Sequence, residues 1–394
     1  MTEKRYELKP RDLLFFRDGR PMDVDKQQPD VRNVGHGASW PRPDHLFKGV
    51  IHALVGDRMA SLDEGGYGAF PQVRVRGPYP VKDGVPYLPR PLDWDMARVD
   101  CKAETDIPEP LEMGFLDRRE GKKAYPAWIA LEDFAAYLAG RDHDGHVVAE
   151  KDEDGNDMET VKFPYGDGDL FTSEPRVGNT LDAATGASRK VPDEHRSGSY
   201  QADYLRLRKG VSMWCTVETG RKAGGSEAPE APEVPASFVM GGQGGVVTRD
   251  VTEIDLAAAL PAPAAKEGQL VRWTLIAPAY FPGNGWLPDF CVDTSPAGNP
   301  LGTVMLRDGK DAPLIGARLV GACVGKPVAY SGWDTKNKVK PTQLAVPAGS
   351  VYLFRCRDAA AANALIAKLH LVPRSQNSAQ GFGIGVCSLV DDVK

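Results

Sequence analysis

Apolar and polar positions mostly alternate along this chain, and only three stretches carry the longer period of a helix. Val211, Met213, Cys215 and Val217 share one parity and Ser212, Trp214 and Thr216 the other, which predicts a half-buried strand. Tyr6–Leu8, Phe238–Met240, Leu270–Ile276, Leu314–Val324, Ser350–Cys356 and Gly383–Val390 also read as strands. The first helical stretch places Leu46, Phe47, Val50, Ile51, Leu54 and Val55 at helical spacing behind Asp44, a residue type that caps helices. Leu131, Phe134, Ala135 and Leu138 form a second, closed by Gly140, and Leu365, Ile366 and Leu369 mark the inner face of a third over Asp358–His370.

Between these elements the pattern breaks. Eight prolines from Pro71 to Pro110 predict only short strands and turns over 60–130, an insertion rather than core. Residues 22–38 lack periodicity, and the acidic run Asp142–Asp169 reads as a loop. Residues 223–236 have linker composition, and Ala258–Lys266 is the expected junction between domains 1–265 and 266–394, with 60–200 irregular. The ending strand–helix–strand predicts an α+β fold in which an antiparallel sheet carries helices on one face, a ferredoxin-like unit in its simplest form. Prolines within 277–300, Pro282, Pro288 and Pro296 among them, leave that unit's first helix hard to place.

At 394 residues the chain is long enough for two or three packed units. With 42 glycines and 32 prolines, turns must occupy much of it. A net charge of −6 argues against a free-standing, non-specific nucleic-acid binder, because displacing counterions from phosphates takes positive charge. The charge is uneven, however. Basic residues from Arg318 to Arg374 meet only Asp334 and Asp358 in that span, which predicts one positive end. Tyr280, Phe281, Trp286, Trp333 and Phe382 lie in or near this basic segment, the combination that holds single-stranded RNA. Six cysteines without C-x-x-C spacing predict reduced thiols, and no apolar run approaches the roughly 18 residues of a membrane span. The expected location is cytoplasmic.

Familiar catalytic and metal motifs fail on inspection. Gly381-Phe382-Gly383-Ile384-Gly385 lies too near the C-terminus to open a dinucleotide-binding helix, which leaves a tight turn meeting phosphates or a neighbouring backbone. Gly241-Gly242-Gln243-Gly244-Gly245, followed by Arg249, has the same character. The acidic run from Asp152 has Asp157 at the sixth position and Phe163 at the twelfth, where a calcium loop needs glycine and glutamate, and His143 and His146 have no third ligand nearby. His45 and His52 flank the first helix, and a metal-independent endoribonuclease would use one of them as acid or base.

The ordered set of motifs resembles the third subunit of the Cmr complex, the type III-B CRISPR effector, within the RAMP superfamily. The resemblance rests on Arg11–Pro21, Ser39-Trp40-Pro41-Arg42-Pro43, Glu174–Gly178, Tyr204–Leu207 and the 241–245 turn. It continues through Ala277–Phe281, Gly285–Pro288, Gly332–Asp334, Val339–Pro341, Ala345–Tyr352 and Gly381–Gly383. It implies two ferredoxin-like, RNA-recognition-type domains with large insertions. The implied role is a non-catalytic subunit, without metal or cofactor, that holds the 5′ tag of the crRNA and contacts the large polymerase-like subunit and the RAMP backbone subunit. Arg17, Arg20, Lys48, Arg249 and Lys338 would then contact phosphate, Trp286 and Phe382 would stack on splayed bases, and Gln243, Gly381 and Gly383 would approach the strand. The alternative is a nuclease that trims precursor crRNA with His45 or His52.

Overall fold

The computed structural model describes residues 2–19, 33–56, 72–94, 96–100, 111–117, 122–141, 146–151, 155–162, 166–179, 181, 184–187, 199–220, 233–291, 302–309, 311–331 and 341–392. The strands of the first part are β1 (Thr2–Pro10), β2 (Asn33–Gly35), β3 (Gln72–Lys82), β4 (Val85–Pro89), β5 (Met96–Asp100), β6 (Met113–Asp117), β7 (Lys122–Ala124) and β8 (Trp128–Ala130). Then come β9 (His146–Lys151), β10 (Asp157–Lys162), β11 (Phe171–Asn179), β12 (Ser199–Leu207), β13 (Val211–Gly220), β14 (Ser237–Val239) and β15 (Val246–Val251). The last part holds β16 (Gln269–Leu275), β17 (Ala317–Cys323), β18 (Val328–Tyr330), β19 (Gln343–Ala345), β20 (Val351–Cys356) and β21 (Gly385–Asp391). The longer helices are α1 (Pro43–Val55), α2 (Leu131–Leu138) and α3 (Ala359–Leu369).

Two open sheets organise these elements into a mixed α+β fold. The larger runs β14-β15-β1-β13-β3-β4-β8 and the second β21-β16-β20-β17-β6-β5. In the first, β15, β1, β13 and β3 pair antiparallel in the split βαβ order of ferredoxin-like sheets, with α1 crossing from β1 to β3. The second repeats that order in β21, β16, β20 and β17, with α3 crossing from β20 to β21.

Leu46, Val50 and Ile51 of α1 pack on Tyr6, Leu8, Val75, Met213 and Cys215, each apolar side chain contributing about 2 kcal/mol. Leu365, Ile366 and Leu369 of α3 do the same against Val271, Trp273, Tyr352 and Phe354. The opposite face of the first sheet is also covered. Tyr79 and Trp214 meet Phe134 and Tyr137 of α2 and Ile276 and Ile384 from the second half. The half-buried strand expected at 211–217 is therefore buried on both faces, Ser212 and Thr216 included.

Within the proline-rich stretch, β3, β4 and β8 belong to the first sheet and its core. β3 runs through Pro78 because it bulges opposite Trp214–Thr216, where a residue without an N–H breaks no ladder, and Pro80 pairs in register with Met213. β5 and β6 leave the N-terminal portion and extend the second sheet beside β17, so a cut at 265/266 does not separate the two sheets. The acidic run likewise contains strands: β9 and β10 pair antiparallel, and Gly155 just before β10 has φ 81°.

A buried polar network pins the two halves together. The Tyr137 hydroxyl donates to Asp93 at 2.6 Å, Arg272 Nη1 lies 3.8 Å from Asp93, and Arg272 Nε and Nη2 donate to Ser388 Oγ (2.8 Å) and the Tyr137 carbonyl (2.7 Å). Burial raises the Asp93 pKa against the pull of Arg272 and the Tyr137 hydrogen bond. Among the described residues no helix is long and apolar enough to cross a membrane.

Candidate nucleic-acid interface

The start of α1 organises the site. Pro43 occupies the first helical position, where its missing N–H removes no hydrogen bond, and Arg42 rather than Asp44 is the N-cap residue. The Arg42 backbone N–H donates to His45 Nδ1 at 3.2 Å, and the His45 ring stacks on Phe16 with centroids 5.0 Å apart. Burial, with Arg42 and Lys48 adding and Asp44 opposing, holds this imidazole down to about 3. It is neutral near pH 7.

Arg42 itself is only 7% exposed. Its Nε and Nη2 donate to the two Asp44 oxygens at 2.9 and 3.1 Å, and Lys48 Nζ approaches the same carboxylate at 3.2 Å. Burial would raise the Asp44 pKa, but the His45 ring, Arg42 and Lys48 hold it well below the usual carboxylate range. The guanidinium carbon lies 4.6 Å from the centre of the Tyr330 ring, and Nη1 has no hydrogen-bond partner.

Segment Leu13–Gly19 runs beside this helix start and ties three elements to it. Gly242 N–H donates to the Phe15 carbonyl at 2.8 Å, the Asp18 N–H to the His36 carbonyl at 3.0 Å, and Ser331 Oγ to the Gly19 carbonyl at 3.3 Å. A side chain at Gly19 would overlap the Ala329 carbonyl. The 241–245 turn joins β14 to β15, with Gln243 exposed at φ 58°.

Arg17, Lys48 and Gln243 therefore come from three contiguous elements. Arg249 does not join them: its Nε donates to the Val234 carbonyl, its Nη2 pairs with Glu233 at 2.9 Å, and its guanidinium covers the Tyr6 ring. Trp286 is 37% exposed on a loop whose Asn284 Oδ1 accepts from Leu344 N–H of β19. Arg20 and Lys338 lie outside the described residues, as does Trp333.

Two expectations need correcting on packing grounds. Phe382 is 1% exposed, enclosed by Tyr280 and Tyr330, and offers no open face to a base. Its flanking glycines serve close packing: Gly381 (φ 92°) abuts Val75 and Pro43, and Gly383 (φ 71°) abuts Arg374 and Ser375. Tyr280 and Phe281 are buried as well. Within the positive end expected at 318–374, part of the described charge is paired: Glu112 meets Arg318 and Arg355, Asp392 meets Arg355, and Asp308 meets Lys368.

Sequence reasoning passed over Arg42 as a candidate contact. Its signal was an arginine wedged between prolines immediately before an apolar helix, where a surface cation would have no reason to be fixed. Among the described residues no group of three or more His, Cys, Asp or Glu side chains could hold a metal ion.

The chain matches the family model described as CRISPR-associated protein (Cas_Cmr3) over residues 6–390. No curated protein matches. A similar chain occurs in the cryo-EM structure of the Type III-B Cmr-beta bound to cognate target RNA and AMPPnP (14% identity, 89% of this chain, 86% of that chain, TM-score 0.43). Others occur in the Csm3-Csm4 subcomplex of the type III-A CRISPR-Cas interference complex (9%, 89%, 92%, 0.38) and the Csm1-Csm4 cassette with AMPPNP (14%, 91%, 89%, 0.29). Since the family match begins within β1 and ends within β21, taking in both sheets and every interface residue described, this chain belongs to the CRISPR-associated Cas_Cmr3 family of RAMP-superfamily proteins.

Proposed function

We propose that this protein is a guide-RNA-holding subunit of a type III CRISPR effector, gripping the 5′ tag of the crRNA and joining the large polymerase-like subunit to the RAMP backbone without cutting RNA. Two RRM-like domains, 1–265 and 266–394, would form its frame, β5 and β6 being a strand exchange between them. The observation that carries the reading is the convergence of Arg17, Lys48 and the exposed Gln243 turn around α1. Cations there meet phosphates, and the backbone of a glycine turn allows a strand to approach closely. Trp286 is the exposed ring available for stacking.

The nuclease reading loses support at His45. A general base must accept a proton near neutral pH, whereas this ring stays neutral down to about 3 and its Nδ1 already accepts from Arg42. His52, seven residues on, lies about 10 Å further along the helix axis, too far to share one phosphodiester with it.

The test is guide retention by the reconstituted effector as a function of salt. Arg17→Ala and Lys48→Ala should each weaken retention and flatten the salt dependence by roughly one charge. Retention and salt slope identical to the parent for both variants would refute the assignment.

A further inference from the structure

Arg17, Lys48 and Gln243 stand on three separate elements, and one side chain reaches the root of each. Strand-like alternation over Leu14–Arg17 turns Leu14 and Phe16 inward and leaves Phe15 and Arg17 partly exposed. Phe16 is 2% exposed. Its ring stacks on His45 of α1 with planes only 22° apart. The same ring meets the glycine turn. A Cβ at Gly241 would lie 2.8 Å from Phe16 Cε1 and 2.6 Å from the Phe15 carbonyl oxygen, so a residue without a side chain, free to hold φ 85°, is what lets the turn come this close. Backbone bonds clamp the segment on either side: Leu14 and Leu205 exchange them at 3.0 and 2.7 Å, and the Ala38 N–H donates to the Phe16 carbonyl at 2.6 Å.

We infer that Phe16 is the positioning residue of the RNA interface: its flat ring, wedged between His45 and Gly241, fixes the spacing of Arg17, Lys48 and Gln243 so that they meet a phosphate backbone as one preformed site. Lys48 lies three residues beyond His45 on the helix, Gln243 two residues beyond Gly241, and Arg17 is next to Phe16 itself. Successive phosphates come at intervals set by the nucleic acid. Groups on three elements therefore act together only where those intervals are already built in, since ordering them on binding would be subtracted from the affinity. His45 has a use here that needs no proton transfer, as the platform on which the ring rests. This inference rests on the RNA-holding reading and adds to it the residue through which its contacts are coupled.

Double-mutant cycles on guide retention by the reconstituted effector, read at a temperature where every variant is folded, separate positioning from mere stability. Phe16→Leu keeps an apolar side chain in the core but removes the ring, and should weaken retention at least fivefold. Leu365→Ala in α3, a core truncation away from the interface, should leave retention within about twofold of the parent. In the Phe16→Leu background the further fold-losses from Arg17→Ala and from Lys48→Ala should each shrink at least twofold, because contacts that no longer act together are no longer lost together. Unchanged retention in Phe16→Leu, or fold-losses that multiply in full, would overturn the positioning role while the RNA-holding role stands. If Phe16→Leu proves poorly folded, Gly241→Ala decides, since it changes only an exposed turn: its methyl group pushes the turn off the ring, and the same weakening and the same shrinkage are expected, with parental retention or full multiplication overturning the inference. Arg17→Ala and Lys48→Ala without effect in the parent would remove both readings.

Discussion

Among the described residues the two sheets share a strand order but keep opposite halves of its helical cover. The first retains the crossover helix between its first two strands, α1, and the second retains the one before its last strand, α3. Where the second sheet would carry its first helix, irregular chain fills the core with Phe281, Phe290, Val304 and Ile315. The difference is productive at the junction. The Gly381–Gly383 turn, which precedes the last strand of the second sheet, is pressed against Pro43 and Val75 of the first. The start of α1 thereby faces the second half and carries Arg42 to the cleft between the halves, whereas α3 is occupied with its own core.

Breaking the seam between the sheets should cost most. Asp93→Ala strands the buried Arg272 guanidinium and should destabilise the protein by about 3–5 kcal/mol in chemical denaturation. A loss under 1 kcal/mol would mean that the network is incidental to how the halves join.

The helices separate stability from function. Leu46→Ala in α1 and Leu365→Ala in α3 remove fully buried side chains and should each cost about 2–5 kcal/mol. At temperatures where both remain folded, only the α1 variant should weaken guide retention. Equal losses of retention would erase the functional asymmetry between the sheets.

The smallest effect is a pH dependence confined to the first sheet. The unfolded chain protonates His45 near 6.5 and the folded chain only near 3, so the unfolded state binds more protons in between and stability drops as the pH is lowered. From pH 6.5 to 5 the loss is about 2 kcal/mol, and His45→Gln should abolish that slope. Asp44, whose pKa is depressed, adds its own loss only below about pH 4. Denaturation midpoints measured across this range with both chains check the sign.

Strong local periodicity was enough to locate α1, α2, α3 and the strands β16, β17, β20 and β21 of the second sheet, because helix and strand spacing are written into neighbouring residues. Prolines misled at β3, since whether a missing N–H matters depends on the partner strand, and the bulge opposite Trp214–Thr216 is invisible in 72–82 alone. Of the proposed interface, Arg17, Lys48 and Gln243 stand out in the sequence as a cation or glycine turn beside predicted elements. Arg249 and Phe382 had the right chemistry but the wrong surroundings, occupied by Glu233 in one case and by Tyr280 and Tyr330 in the other.

The sequence by itself determined the family, through an ordered set of motifs, and the α+β class and several glycine turns, which follow from local periodicity and steric limits. Tertiary structure alone decided which charges are spent on one another. Glu112 reaches Arg318 and Arg355 across some two hundred residues of chain, and Arg42 is left with one unanswered donor in a cleft that both halves enclose. Pairing and burial depend on distances between segments far apart in the chain, and no local pattern encodes them.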